Sequence, residues 1–136
     1  MSQTPTIIPC LRYRDAAAAI AFLKDAFGFA EHAVYAGEGG RIEHAELSFG
    51  NGMVMLGSTK ADDPDWRTVA EAGGYTQTNY LVVNDVDAHC TRARAAGARI
   101  TQEPRDESYG GRGYAARDPE DHLWYFGSYR PHTPAE

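Results

Sequence analysis

The stretch that decides the fold lies near the end of the chain and reads Asp118-Pro119-Glu120-Asp121-His122-Leu123-Trp124-Tyr125-Phe126-Gly127. Its first residues are typical of a turn, and the apolar and aromatic residues that follow are typical of a buried strand. About 70 residues earlier the turn Gly50-Asn51-Gly52 precedes a second strand-like run, Met53 to Leu56. An Asn-Gly pair between two such runs is a strong hairpin signal. The two stretches therefore predict one turn-and-strand unit that occurs twice.

The same offset relates landmarks along the whole chain. In the first half, a strand at Thr6 to Tyr13 precedes Asp15, which predicts the start of a helix that ends near Phe27-Gly28. In the second half, a strand at Thr76 to Val83 precedes Asp85 or Asp87 and a helix that ends at Gly97. The remaining predicted strands are 31–35, 41–49 and 53–56 in the first half, and 99–102, 112–117 and 122–127 in the second.

Each half therefore has the order β-α-β-β-β. We predict an α+β protein in which residues 1–136 form a single domain of two tandem modules. Module one spans about 6–57, a polar linker spans about 58–75, and module two spans about 76–129. What repeats is the order of the elements and their turns, because few residues are identical between the halves.

Length and charge exclude several classes of protein. With 136 residues the chain has no room for a separate cofactor domain. Its 13 Lys and Arg against 19 Asp and Glu give a net charge of −6, so we expect neither nucleic acid nor a membrane surface as a partner. The longest apolar run, Ala16 to Leu23, is too short to span a bilayer. Its first residues do not resemble a secretion signal, which predicts a cytoplasmic protein.

The paired modules and the Asp118 to Trp124 ending resemble the vicinal-oxygen-chelate superfamily. This superfamily includes glyoxalase I, bleomycin-resistance proteins, fosfomycin-resistance enzymes and extradiol dioxygenases. The resemblance covers residues 6 to 129 and is strongest to its short glyoxalase-like, bleomycin-resistance-type branch, where glycine usually stands in place of Asp121. It implies that each module forms half of a curved, cup-like mixed sheet with its helices outside. It also implies a pocket between two half-cups and a homodimer.

The resemblance also gives the positions at which metal-dependent relatives carry their ligands. These positions fall at Ile8, Met55, Thr78 and Tyr125. Divalent metals prefer imidazole, carboxylate or other oxygen donors, which an isoleucine or a methionine does not supply. We therefore predict that the protein uses no metal and no other cofactor.

Strand alternation predicts which side chains line the pocket, because residues two apart share a face. Beside the four mapped positions, the predicted lining is Cys10, Arg12, Met53, Tyr80, Val82 and Leu123, with His44 and Glu46 from the third strand and Arg112, Tyr114 and Ala116 from the seventh. The opposite face carries Ile7, Leu11, Val54, Leu56, Trp124 and Phe126, as expected for a surface covered by helices.

A mostly apolar and aromatic lining with a few polar groups is usual for a small-molecule site. The predicted ligand-binding residues are Arg12, Met53, Met55, Trp66, Thr78, Tyr80, Arg112 and Tyr125. Trp66, in the linker, is either an anchor against the pocket or a dimer partner, or a cap on the open end of the barrel. Arg112 either holds an anionic group of the ligand or forms a salt bridge that anchors a glycine-rich loop.

His44 and Glu46 place an imidazole and a carboxylate on one strand face. They are a structural pair, part of a binding site, or an acid-base pair. The sequence thus predicts a metal-free protein that binds a small molecule, including sequestration of a drug or a hydrophobic metabolite. The alternative is a glyoxalase-like lyase or isomerase or a dioxygenase, either metal-dependent or using Glu46 or His44 as base. These residues do not decide whether the protein catalyses a reaction.

Overall fold

The computed structural model describes residues 5–131, which form two four-stranded sheets and the helices that pack on them. The strands are β1 Cys10–Tyr13, β2 Ala30–Ala36, β3 Ile42–Phe49, β4 Gly52–Ser58, β5 Asn79–Val82, β6 Arg99–Asp106, β7 Arg112–Arg117 and β8 Leu123–Gly127. The helices are α1 Ala16–Phe22, which continues as a π-helical turn over Leu23–Phe27, α2 Val69–Ala72 and α3 Val86–Ala95, with a 3₁₀ turn at Glu38–Gly40. The predicted α+β class and the two tandem β-α-β-β-β modules are confirmed.

Equivalent aspartates begin the main helix of each module. The side chain of Asp15 accepts a hydrogen bond from the Ala18 N–H at 3.1 Å, and that of Asp85 accepts one from the Ala88 N–H at 3.0 Å. These carboxylates satisfy N–H groups that have no partner inside the helix.

Within residues 5–131, every helix is too short or too polar to cross a membrane.

The two sheets have the same topology. Their strand orders are β1-β4-β3-β2 and β5-β8-β7-β6, with the first and fourth strands of each module parallel and the other pairs antiparallel. Cys10 pairs with Met55, and Tyr80 pairs with Tyr125. The register of the parallel pair therefore repeats at an offset of 70 residues.

The turns before the fourth strands differ by one residue. In module one, Phe49 pairs with Gly52 across Gly50-Asn51, and the φ of +57° at Gly50 is typical of a type II′ hairpin turn. In module two, the Asp118 N–H donates to the His122 carbonyl at 3.1 Å across Pro119, Glu120 and Asp121. Asp121 has a φ of +71°, so aspartate does adopt the left-handed backbone that glycine favours. The hairpin prediction is confirmed, with its turn at Gly50-Asn51.

Some strand bounds differ from the prediction. β1 begins at Cys10 and not at Thr6, because Pro9 before it has no N–H to donate to a sheet. Ile7 is consequently exposed and does not lie in the core. β6 continues past Gln102 to Asp106 through two register irregularities, and its position at the sheet edge accommodates a proline in this segment.

One hydrophobic core crosses the boundary between the modules. Leu11, Val54, Leu56, Trp124 and Phe126, all predicted to face the helices, are buried. Phe27, from the π-helical turn of module one, has its ring centroid 4.7 Å from that of Phe126 and 5.8 Å from that of Trp124, both in module two. Aromatic pairs at these distances add to the stabilisation from burial.

A buried carboxylate reinforces this junction. Oδ2 of Asp118 accepts hydrogen bonds from the Tyr13 hydroxyl at 2.5 Å and from the Trp124 indole N–H at 3.1 Å. Oδ1 accepts from the backbone N–H groups of Glu120 at 3.0 Å and His122 at 3.2 Å. Because buried polar groups are costly without partners, these four donors stabilise the carboxylate inside the core.

The neighbouring Glu120 makes a second link to module one. Its carboxylate oxygens accept from the backbone N–H groups of Arg14 at 2.7 Å and Asp15 at 2.8 Å, just before α1. The stretch that decides the fold therefore joins the last turn of module two to the first strand and helix of module one.

Candidate functional site

Each sheet has a helix face, which packs in the core, and an open face on the opposite side. Residues paired directly across neighbouring strands lie on the same face. On the open faces, one row is Cys10, Met55 and Glu46 in module one, and the equivalent row is Tyr80, Tyr125 and Ala115 in module two. Tyr80 is 42% exposed and Tyr125 is 38% exposed, so the open face of module two presents aromatic surface to solvent.

On the open face of module one, Glu46 lies between two histidines. Its Oε2 is 2.9 Å from Nε2 of His44 on the same strand, and its Oε1 is 3.6 Å from Nε2 of His32 on β2. The Glu46 side chain is 27% exposed, so it is partly shielded from solvent. A carboxylate that shares protons with imidazoles can accept a proton from a ligand, which is what a general base does.

His32 was not found by sequence reasoning. The register of β2 on β3 shifts between Glu31 and Ala33, so His32 is the extra residue of a β-bulge. A bulge re-aims a side chain relative to regular strand alternation. The one available signal was that His32 and Glu46 lie on the two strands that flank the glycine-rich turn, which predicts a hairpin between them.

On the open face of module two there is a cavity of about 250 Å³. Three of its lining residues, Tyr80, Arg112 and Tyr125, were predicted as ligand-binding residues. Two further tyrosines, Tyr109 and Tyr129, line it as well. Sequence reasoning missed both, because they lie outside the strands, in the segments before β7 and after β8. Strand alternation does not predict where the side chains of such segments lie.

The prediction that Tyr114 and Ala116 lie on the open face is wrong, although Tyr114 is among the residues that line the cavity. Tyr114 pairs with Phe126 and Ala116 with Trp124, so both lie buried on the helix face. The cause is the extra residue in the second turn: β8 corresponds to β4 at an offset of 70, whereas β7 corresponds to β3 at an offset of 69. A shift of one residue moves every side chain of a strand to the other face.

Arg112 lies on the same side of β7 as Tyr114, and it also lines the cavity. Its guanidinium is bidentate to Asp87 on α3, with Nε–Oδ2 at 2.9 Å and Nη2–Oδ1 at 3.0 Å, and Nη1 is 3.3 Å from Asp106. The hydrogen bond from Arg112 lowers the pKa of Asp87, and the same bond raises the pKa of Arg112. The guanidinium is thus directed to two carboxylates, as expected for an anchor of the neighbouring loop.

Arg12 and Trp66 meet, as the predicted ligand residues should. The Arg12 guanidinium carbon lies 3.8 Å from the centroid of the Trp66 ring, a cation–π contact. Arg12 reaches this position over Gly57, where a Cβ atom would come within 2.8 Å of its Nη1. Both residues line a cavity of about 310 Å³ between β1 and the linker.

A third cavity, of about 540 Å³, lies between the turn before β4 and the start of β5. Met53, Thr78 and Tyr80 line it. Met55, His44 and Glu46 line none of these three cavities. A single chain therefore brings the predicted residues together in small groups, on two open faces and in the crevice between the modules, and does not gather them in one pocket.

The four positions that resemblance assigns to metal ligands do not fit a divalent metal. Ile8 has no donor atom, Met55 offers a thioether, and Thr78 and Tyr125 offer neutral hydroxyls. In the described part of the chain, no three His, Cys, Asp or Glu side chains are grouped in a way that could hold a metal ion.

The two thiols have different surroundings. Cys90 is buried in α3, and burial raises the pKa of its thiol, which disfavours the reactive thiolate. Cys10 is exposed on the open face of module one, and its Sγ lies 3.6 Å from the Ile8 carbonyl. His89 is adjacent to Cys90 in sequence, but its ring contacts the Tyr114 hydroxyl at 2.6 Å and the Phe27 carbonyl at 2.8 Å.

Comparison with known proteins agrees with this architecture. The sequence profile of the Glyoxalase/Bleomycin resistance protein/Dioxygenase superfamily matches residues 6–126. The chain belongs to this superfamily. Among curated proteins, an uncharacterised protein of Mycobacterium tuberculosis (strain ATCC 25618 / H37Rv) is 35% identical over 128 residues, which cover 90% of this chain and 74% of the relative.

Solved structures of other proteins show the same fold. TioX from Micromonospora sp. ML1 is 37% identical, covers 93% of this chain and 99% of its own, and superposes with a TM-score of 0.75. The fosfomycin resistance protein FosX from Listeria monocytogenes is 12% identical and covers 93% of each chain with a TM-score of 0.67. The latter likeness concerns the fold alone.

Proposed function

We propose that this member of the glyoxalase and bleomycin-resistance superfamily binds a small organic molecule on its open faces without a metal. In a sequestering role, it would hold a drug or a hydrophobic metabolite and keep it from its target. Binding sites of this kind are mostly apolar and aromatic, with a few polar groups that fix the orientation of the ligand.

The observation that carries this proposal is the composition of the open faces. Methionines in module one and tyrosines in module two supply polarisable surface that is accessible to solvent. Ile8, Met55, Thr78 and Tyr125 stand at the positions to which the family resemblance assigns metal ligands. This set of side chains suits contact with an organic ligand better than coordination of a cation.

A homodimer is part of the proposal. In a single chain each open face is half of a cup, and each is accessible to solvent at residues such as Cys10 and Tyr125. A second copy that placed its open face opposite the first would enclose a ligand between two half-cups. Light scattering should then give a mass of twice the 14.9 kDa of the chain, and a monomeric mass would contradict this part of the proposal.

A thermal-shift screen tests binding directly. A ligand that binds only the folded state raises the unfolding temperature. At a ligand concentration 100 times the Kd, the free energy of unfolding increases by about 2.7 kcal/mol. The screen should include antibiotics, thiols and hydrophobic metabolites. We expect planar or amphipathic organic compounds to raise the midpoint, and the Tyr125→Ala variant to lose the effect. Tyr125→Phe, which keeps the ring, is the matched control and should retain the effect.

Catalysis is a second candidate, and the contacts of Glu46 favour it. The carboxylate lies 2.9 Å from His44 and 3.6 Å from His32, which is suitable for a base that moves a proton on a bound ligand. If Glu46 is the base, Glu46→Gln should lower turnover of a converted ligand by about 10²-fold or more while leaving its binding intact. Full turnover in this variant would exclude Glu46 as the base.

A further inference from the structure

Apart from the buried Tyr114, four tyrosines line the cavity on the open face of module two. Tyr80 comes from β5, Tyr109 from the loop before β7, Tyr125 from β8, and Tyr129 from the segment after β8. The cavity volume of about 250 Å³ is below the roughly 300 Å³ at which pockets for drug-sized ligands begin. The cavity is therefore of a size for one chemical group of a ligand.

Glycines form the floor of this cavity, which brings the rings close to the sheet. Gly113 and Gly127 are paired across β7 and β8 and both line the cavity. A Cβ atom at Gly127 would lie 2.6 Å from the Tyr80 hydroxyl oxygen, so any larger residue would displace this ring. The repeat has a glycine at the equivalent position of module one, Gly57, which makes room for Arg12 in the same way.

Contacts fix the orientation of the rings. The Tyr80 hydroxyl donates to the Tyr129 carbonyl at 2.7 Å. The rings of Tyr109 and Tyr129 meet edge to face, with centroids 5.0 Å apart. Such a pair is a favoured aromatic geometry, so the cavity is lined by ordered aromatic surface.

One carboxylate gives the cavity its charge. The Glu107 side chain is only 15% exposed, and its Oε1 lies 3.5 Å from Nε of the exposed Arg105. Its Oε2 accepts a long hydrogen bond of 3.4 Å from Gln102. Arg112, which lines the cavity, forms ion pairs with Asp87 and Asp106. Glu107 therefore keeps capacity to interact with a cation inside the cavity.

We propose that these residues form a tyrosine cage for the alkylammonium group of an organic cation. The cage residues are Tyr80, Tyr109, Tyr125, Tyr129 and Glu107. Aromatic ring faces attract a desolvated quaternary ammonium group, and a nearby carboxylate adds Coulomb attraction. The net charge of −6 on the chain also favours the approach of a cation. This inference rests on the proposed function and assigns the chemical class of one part of the ligand.

Choline and its neutral isostere 3,3-dimethylbutan-1-ol test the cage on the full-length protein. They share a shape and differ in charge, so calorimetric or NMR titration separates cation recognition from simple burial. We expect saturable choline binding and at least ~10-fold weaker binding of the alcohol. Absence of choline binding, or equal affinity for the two probes, would overturn the proposal.

Variants locate the site. Glu107→Gln and Tyr109→Ala should each weaken choline binding by about fivefold or more, because one removes the charge and the other a ring face. Tyr109→Phe should retain binding, since it keeps the ring. Tyr35→Ala is the matched control, because Tyr35 and Tyr109 are both 59% exposed. Unchanged affinity in both Glu107→Gln and Tyr109→Ala would show that choline binds elsewhere and would refute the cage.

The outcome is separable from that of the general proposal. If neutral compounds raise the unfolding midpoint and choline does not bind, the cage is wrong and metal-free binding of organic ligands stands. If choline binds in the cage and no larger compound binds, the cage stands and the sequestration of a drug or a hydrophobic metabolite loses its support.

Discussion

Asp118 shows how a single residue of the fold-defining stretch acts. Its sequence context predicted a turn, whereas its four hydrogen bonds and its burial make it a junction between modules. The sequence could identify the turn because Asp-Pro is a local signal. It could not identify Tyr13 as a partner, because that contact spans 105 residues.

The Asp118→Asn variant should lose about 3 kcal/mol of the free energy of unfolding. An amide keeps the size of the carboxylate, but its NH₂ group cannot accept hydrogen bonds, so buried donors such as the Trp124 N–H lose their partner. Chemical denaturation measures the loss. Asp62→Asn, at an exposed linker residue, should stay within about 0.5 kcal/mol of the wild type. A loss below about 1 kcal/mol in Asp118→Asn would contradict the assigned role.

His89 should make stability depend on pH. Its Nε2 must donate to the Phe27 carbonyl, so a neutral ring accepts from the Tyr114 hydroxyl at Nδ1. Burial lowers the pKa of His89 below its ordinary value of 6.5. As the pH falls, His89 therefore takes up a proton in the unfolded chain before it does so in the folded protein. The stability contributed by the neutral buried ring is complete above pH about 6.5 and is lost as the pH falls through the folded-state pKa.

Urea unfolding at several pH values between about 7.5 and 5 measures this effect. The wild type should lose stability as the pH falls, and His89→Gln should have a flatter dependence because the titrating group is gone. A His89→Gln profile parallel to that of the wild type would count against the buried neutral histidine.

At the scale of elements, the internal repeat determined which helix starts and strand faces could be predicted from the sequence. Helix caps and the parallel strand pair follow an offset of 70 residues, which is why the open-face positions of β1, β4, β5 and β8 were predictable. The prediction of which β7 side chains lie on the open face was wrong. One extra residue within the turn Pro119 to Asp121 changes the offset between β3 and β7 to 69. Strand alternation does not reveal the length of a loop, and an error of one residue moves every side chain of a strand to the opposite face.

The linker is the element whose role the sequence left most open. In the structure, Thr68 and Glu71 form a capping box that starts the short helix α2, and Trp66 stacks on Arg12 from β1. The cation–π contact holds the linker against module one, so neither residue extends freely into solvent. Such a contact at a partly exposed site is worth about 0.5–1 kcal/mol.

Trp66→Ala should therefore cost about 1 kcal/mol of the free energy of unfolding. Trp124→Phe should cost more, because it removes a buried indole and a hydrogen-bond donor to Asp118. Denaturant titration of both variants compares the two tryptophans. A loss of more than about 3 kcal/mol in Trp66→Ala would mean that the linker belongs to the core and is not a peripheral strap.

At the scale of the whole molecule, the modules share one core on the helix side of their sheets. Phe27 contacts Phe126 there, and Tyr13 donates to Asp118. Elsewhere Met53 of module one and Tyr80 of module two line one crevice, and the exposed Tyr80 and Tyr125 remain available to a ligand or to a second copy of the chain. Metal-free ligand binding is the central claim that follows.

Calorimetric titration of a compound found in the thermal-shift screen, before and after removal of metals with a chelator, tests this claim most directly. We predict the same Kd for both preparations, with about tenfold weaker binding in Tyr125→Ala, since an aromatic contact surface is lost. The contradicting result is binding that disappears after chelation, returns with added Ni²⁺, Zn²⁺, Fe²⁺ or Mn²⁺, and follows about one metal ion per subunit.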